Sequence, residues 1–471
     1  MIKNHIVQTM VKYLSFSPTS DQEKLLDIMA EFVILPGDRE LLIIKGYAGT
    51  GKTTMISTLI KALREMNIKT ALLAPTGRAA KVLAAYSATS ATTIHKKIYR
   101  QKSSKDAFGE FVIDRNLNGN TFFIVDEASM LSDKNLDASI FGTGNLLEDI
   151  INYVYNDKNC KLILVGDTAQ LPPVGLSLSS AMNKQFLELY DLTVVEHELR
   201  EVVRQTNESG ILSNATSIRN LIGLDQVQTP KFILTGFPDV RRIAGNELLE
   251  TLAQAYRIYG RDDTIVICRS NKIANKYNQG IRGQILQREE ELAAGDYLMV
   301  VKNNYFWLEE NEKADFIANG DIVKIKRVKK YHELYGFRFA QAEIVLPDYD
   351  NTELSVKLLL DTLYSESPAL SSEDNKRLFY TVSEDYADIA SLKKRYAKVK
   401  ENEYFNALQV KHANAVTCHK SQGGQWRAVF IDQSYFRDEM LTTEYLKWLY
   451  TAFTRATDIV YLVNFGDDFF G

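Results

Sequence analysis

Cysteine is scarce: Cys160, Cys268 and Cys418 are the only three in 471 residues, and no two are near each other in sequence. Isolated thiols suggest neither a zinc knuckle nor a disulfide framework, and they fit a reducing compartment. No uninterrupted apolar run reaches the roughly 20 residues needed to cross a bilayer, and no charged-then-apolar leader opens the chain. A cytoplasmic protein with no membrane partner is expected. Excess positive charge is missing too, because 56 Lys and Arg against 60 Asp and Glu leave a net charge of −4. Such a molecule has no overall pull toward nucleic acid, so any site of that kind must be a local basic groove. Repeats and low-complexity tracts are also lacking. What remains is ordinary globular composition, 45% hydrophobic and 25% charged, in a chain long enough for roughly two to four domains.

Short apolar runs alternate with helical stretches through the first part: Leu41–Ile44, Ala71–Ala74, Phe122–Val125 and Leu162–Val165. This alternation predicts an α/β unit, a parallel sheet wrapped by helices. A second set, Thr264–Ile267, Ala428–Ile431 and Ile459–Val463, predicts a second and discontinuous α/β unit that includes a helix over Thr442–Phe453. Between its pieces Asp321–Lys330 alternates apolar and basic residues, the pattern of a half-buried antiparallel strand. A small β-rich insertion is expected there, extending to about residue 404 and taking in the basic run Lys393–Lys400.

The most informative segment is Gly46-Tyr47-Ala48-Gly49-Thr50-Gly51-Lys52-Thr53, which follows the first apolar run and precedes a helix-compatible stretch from Thr54 to Arg64. Glycines let backbone N–H groups turn toward a polyphosphate, Lys52 brings a point charge to it, and Thr53 offers a hydroxyl to Mg²⁺. The chain therefore reads as a nucleotide-binding protein. After the third strand comes Asp126-Glu127, which suits Asp126 to the Mg²⁺ shell and Glu127 to orienting and deprotonating water; a helix N-cap pair is the alternative. After the fourth comes Gly166–Gly175, where Gln170 can bond a γ-phosphate and lose that bond on hydrolysis.

Taken in order, these segments resemble the motif set of superfamily 1 helicases, most closely the RecD-like and phage Dda-like members of superfamily 1B. Gln22 matches the adenine-reading glutamine, Ala74–Lys81 a further first-domain motif, and Val202–Gln205 the fourth motif with its phosphate-contacting Arg204. Ala415–Gly424 resembles the fifth motif and Tyr450–Ala456 the sixth, with Arg455 as its arginine. The resemblance implies two RecA-like domains with ATP and Mg²⁺ between them, moving 5′ to 3′ along single-stranded DNA and opening duplex at junctions. It carries a catalytic set of Lys52, Asp126, Glu127, Gln170, Arg204 and Arg455, with Thr53 and Asp126 at the metal. Nucleotide contacts fall to Gln22, Gly46, Ala48, Gly49, Thr50, Gly51, Lys52, Thr53, Thr54 and Gly424.

Expected DNA contacts are Pro75, Thr76, His95, Asn271, Thr417, His419 and Lys420; for His95 and His419 the alternative is a packing residue. The implied domains are 1–190, with a pin insertion at about 96–120, then 191–325 with 405–471, and a barrel-like insertion over 326–404. Phe108 and Phe111 are candidate pin tips or, alternatively, packing residues. The basic residues Lys324, Lys326, Arg327, Lys329 and the run Lys393–Lys400 either flank the DNA exit or form a solvated face. Gln425 departs from the family, standing where many members carry an acidic ribose contact. Protein partners from replication or repair, including single-strand-binding proteins, and a monomeric state complete the expectation. A translocase that remodels protein–DNA complexes without unwinding, and a nucleotide-regulated binding module, are the competing readings.

Overall fold

Strands buried on both faces appear in sequence as continuous apolar runs, and the runs above become the strands of two parallel sheets. The computed structural model describes residues 1–37, 39–101, 111–133, 142–156, 159–202, 209–308 and 316–471. The first part of the chain supplies β1 (Glu40–Gly46), β2 (Lys69–Ala74), β3 (Ala91–Thr93), a hairpin of β4 (Tyr99–Gln101) and β5 (Phe111–Ile113), then β6 (Thr121–Val125), β7 (Lys161–Gly166) and β8 (Thr193–Leu199). Its sheet runs β3-β2-β6-β7-β1-β8, and every pairing is parallel. Alternation along β1 splits the core: Leu42 and Ile44 pack under the helices Ser20–Ile34 and Lys52–Glu65, while Leu41 and Ile43 pack under Leu146–Val154.

The rest of the chain supplies β9 (Val240–Ile243), β10 (Thr264–Cys268), β11 (Tyr297–Val300), β12 (Ile322–Leu334), β13 (Phe337–Leu346), β14 (Thr352–Leu359), β15 (Leu408–His412), β16 (Ala415–Thr417), β17 (Trp426–Asp432) and β18 (Ala456–Val463). The second sheet has the order β16-β10-β17-β18-β9, and β11 to β15 close into a barrel. Two RecA-like parallel sheets with a barrel inserted in the second are the architecture of the chain. No helix among the described residues is long and apolar enough to cross a membrane.

Two expected boundaries move. The first domain does not stop at 190, because β8 pairs with β1 in register from Glu40↔Thr193 to Gly46↔Leu199 and forms the edge of the first sheet. Nor is the insertion confined to 326–404, since β11 and β15 pair with each other and with β12 and β14 to close the barrel. The insertion is also not β throughout: helices Ser372–Glu384 and Leu392–Lys400 bury Leu378, Val382 and Val399 against Phe337, Phe339 and Leu359.

β12 keeps its predicted alternation at Val323 and Ile325, both buried, and loses it where the pairing register shifts after Ile325. Its basic stripe is answered by neighbours: Lys326 pairs with Glu353 at 2.6 Å and Lys329 with Glu343 at 2.8 Å. Within the segment where the pin is expected, β4 and β5 form an antiparallel pair. Phe108 lies outside the described residues. Phe111 is not a tip; it sits in β5, and its ring centroid is 4.2 Å from that of Tyr305.

Candidate nucleotide site and adjoining channel

The phosphate loop leaves β1 and enters the helix Lys52–Glu65 through Gly49 and Gly51, whose φ values of 78° and 84° lie in the left-handed region. A side chain at either position would strain the turn. Gly46 is also required, because a Cβ there would stand 2.9 Å from both Lys52 Cγ and Thr50 Oγ1. Lys52 Nζ donates to the carbonyls of Gly46 at 2.6 Å and Tyr47 at 2.9 Å. Thr50 Oγ1 donates to the same Tyr47 carbonyl. Thr53 and Thr54 form the first turn of the helix.

Gln22 is fully buried. Its amide oxygen accepts the Thr19 N–H in a capping box, and its Nε2 donates to Thr50 O at 3.1 Å. In this arrangement Gln22 braces the loop from the start of its own helix, with both ends of the amide in use.

Asp126 follows β6, and its Oδ1 accepts the Glu127 N–H at 2.9 Å. Burial, and then the Glu127 charge beside it, push its pKa up to about 6. Glu127 has φ 52°, a conformation costly for a non-glycine residue and concentrated at functional sites. From the second domain, Arg455 comes within 4.0 Å of Glu127 Oε1. Arg455 is 3% exposed and is oriented by three contacts, with its Nε donating to Thr451 O and its two terminal nitrogens to Gly424 O and Thr454 Oγ1. Gln170 is buried, and among the described residues its Oε1 has no hydrogen-bond partner. An unpaired buried amide oxygen is uncommon and calls for a partner. Arg204 lies outside the described residues.

Further cross-domain bonds join this site, and sequence reading assigned them no role. Leu171 N–H donates to Thr451 Oγ1 at 2.8 Å, and Gln422 Nε2 donates to Leu171 O at 2.7 Å. The Tyr450 hydroxyl accepts the Ala48 N–H of the phosphate loop at 2.8 Å and donates to Asp167 Oδ2 at 2.7 Å. Tyr450 and Thr451 lie in the segment that carries Arg455, and this adjacency is the one signal the sequence held.

Beyond the nucleotide loop, Thr76 caps the helix Gly77–Ser87 by accepting Ala79 N–H, directly after Pro75. The second domain meets this helix through two glycines. A Cβ on Gly423 would stand 3.0 Å from Thr76 Oγ1 and Ala79 Cβ, and one on Gly424 3.2 Å from Arg78 Cδ. Arg78 spans the junction, stacked 4.0 Å over Trp426 and bonded to Gln425 O.

A cavity in the second domain brings Asn271, Thr417 and Lys420 together with Lys411. Lys420 Nζ donates to Asn319 Oδ1 at 2.6 Å, and burial lowers its pKa to about 8. Lys411 is lowered to about 8 as well, by burial and then by Lys420. Lys411 Nζ donates to Thr362 O at 3.1 Å and to Ser365 O, and two desolvated ammonium groups lining one cavity favour an anion there. His419 does not line this cavity. His95 packs 5.6 Å from Tyr99 and 6.3 Å from Phe316, ring to ring, and burial drops its pKa to about 4. Its ring lies in an aromatic cluster in this arrangement, and desolvation there disfavours the charged form.

Residues 30–222 match the model of an AAA domain, and residues 412–463 match that of the UvrD-like helicase C-terminal domain. An uncharacterised protein of Acanthamoeba polyphaga mimivirus is 23% identical, the alignment covering 88% of this chain and 93% of that one. The ATP-dependent DNA helicase dda of Enterobacteria phage T4 is 26% identical, covering 82% and 86%. Among solved structures, the Pif1 helicase from Bacteroides in complex with ADP-AlF3 and ssDNA superposes with a TM-score of 0.46 at 15% identity, covering 97% and 95%.

The phosphate loop on the first sheet, faced by an arginine from the second, defines a P-loop NTPase of the helicase kind. Within that class the chain is similar to the superfamily 1B helicases, among them the RecD-like and phage Dda-like members.

Proposed function

We propose that the protein is an ATP-dependent DNA helicase that moves 5′ to 3′ on single-stranded DNA and opens duplex at single/double-strand junctions. The observation that carries this reading is the approach of Arg455 to Glu127 across the two sheets. Lys52 and the loop N–H groups hold the β- and γ-phosphates, Glu127 orients and deprotonates the attacking water, and Arg455, with Arg204, stabilises charge on the transferred phosphoryl group. Gln170 donates its Nε2–H to a γ-phosphate oxygen, and its buried Oε1 is then placed to accept from the attacking water. The donors Thr53 and Asp126 are all oxygen, the set that suits Mg²⁺, and they would hold it beside the phosphates. The raised pKa of Asp126, caused first by desolvation and then by Glu127, fits a position completed by a cation. Bound Mg²⁺ would neutralise charge on the β- and γ-oxygens.

The Gly77 helix N-terminus and Thr76 on one domain, and Asn271, Thr417, Lys411 and Lys420 on the other, give two footholds for DNA phosphates. ATP draws the footholds together by giving Arg204 and Arg455 an anion to share, and hydrolysis releases them. Direction follows from kinship with the superfamily 1B members. The test is strand displacement on duplexes with a 5′ or a 3′ single-stranded tail, with phosphate release followed in parallel. Displacement from the 5′ tail alone is expected. Hydrolysis stimulated by single strands with no displacement from either tail would make the protein a translocase that clears bound proteins, and hydrolysis indifferent to DNA would make it a nucleotide switch.

A further inference from the structure

Asp167 ends the strand beside the phosphate loop and is 1% exposed. Its Oδ1 accepts Ala169 N–H at 2.9 Å. Its Oδ2 faces two donors of different origin: the Tyr450 hydroxyl of the second domain at 2.7 Å, and the Lys52 ammonium of its own domain at 4.0 Å. A buried carboxylate needs a donor or a cation, and the cost of leaving it without one is large. With the hydroxyl in place that need is met by a neutral group, and Lys52 rests on backbone carbonyls instead. The same hydroxyl accepts the Ala48 N–H, so it touches the loop and the acid at once. Burial and the neighbouring Asp167 raise the Tyr450 pKa, so the proton stays on the hydroxyl.

We propose that Tyr450 is a positioning residue that assigns Lys52 either to the nucleotide or to Asp167. When the domains are closed, the hydroxyl caps Asp167 Oδ2, and Lys52 is left for the β- and γ-phosphates. When the second domain withdraws, the hydroxyl goes with it, and Asp167 draws the ammonium away from the phosphates. Domain opening thereby weakens the hold on nucleotide, and by linkage nucleotide favours closure. The device rests on the ATP-driven reading above and adds to it a route by which movement of the second domain releases product.

The test uses the full chain with a fluorescent, non-hydrolysable ATP analogue (mant-AMPPNP), with Mg²⁺ and single-stranded DNA present. Tyr450→Phe keeps the buried ring and removes only the hydroxyl. Losing one hydrogen bond to a charged group is expected to weaken analogue binding about tenfold, with a matching rise in KM for ATP. Asp167→Asn removes the competitor for Lys52, so the double variant Y450F/D167N is expected to regain affinity to within about threefold of wild type. Wild-type affinity in Y450F, or an uncorrected loss in the double variant, overturns the proposal and leaves Tyr450 a packing residue. Failure of the wild-type protein to bind the analogue would instead overturn the ATP reading itself.

Discussion

Asp126 and Glu127 are adjacent carboxylates with different surroundings. Asp126 is half-buried and its pKa is raised, while Glu127 is turned by a left-handed backbone toward Arg455. Glu127→Gln preserves volume and removes the base, so hydrolysis is expected to fall by about 10²–10⁴ while ATP binding persists. Steady-state phosphate release and equilibrium nucleotide binding check this together. Lys420 makes a second prediction at this scale. Among the described residues no carboxylate pairs with it, and its pKa is about 8 in the free protein. A DNA phosphate binds the ammonium form, so above pH 8 binding must recover a proton first. Single-strand affinity should therefore fall as pH rises from 8 to 9, by up to about tenfold per lysine that must be charged. Arginine stays charged throughout. Lys420→Arg should flatten the profile, and K411R/K420R should flatten it further, in fluorescence-anisotropy titrations at constant salt.

At the scale of elements, the contact between Gly423 and the helix Gly77–Ser87 is a close approach between the two domains that a single methyl can probe. Gly423 has φ 72°, and its Cβ position is 3.0 Å from Ala79 Cβ. Gly423→Ala should cost about 1–2 kcal/mol from backbone strain and overpacking, read as a lower first unfolding transition together with reduced DNA-stimulated hydrolysis. Gly283 is the contrast, since it sits in a helical turn with nothing within 4 Å of its Cβ position. Gly283→Ala should stabilise by about 0.4–1 kcal/mol in the same melt. What could be read from sequence divides along similar lines. β1, β6 and β7 are buried on both faces, so their apolar runs announced them, and the phosphate loop is a local pattern of glycines and a lysine. β11 and β15 are four and five residues long, and only their distant pairing closes the barrel, so the barrel's edges stayed hidden. Arg455 was legible through the order of the motifs. The roles of Tyr450 and Asp167 were not, because they exist only where chain segments far apart in sequence meet.

Across the whole molecule, a net charge of −4 means that DNA affinity has to come from short-range contacts rather than from overall attraction. Two measurable consequences follow. Affinity for single strands should decline linearly on a log–log plot against salt, with a slope of about 0.7 per phosphate neutralised, and Lys420→Ala should reduce that slope by about one such unit. A slope near zero would leave no phosphate-tracking groove. The second consequence concerns coupling. If Arg455 joins the domains through the γ-phosphate, a non-hydrolysable ATP analogue and single-stranded DNA must change each other's affinity by the same factor, because linkage is reciprocal. Arg455→Ala should bring that factor close to one while each ligand still binds alone, and hydrolysis should drop by about 10³–10⁵. Binding titrations of each ligand with and without the other measure the factor directly. An undiminished factor in R455A would mean that the domains communicate by another route and that the arginine's approach to Glu127 serves packing alone.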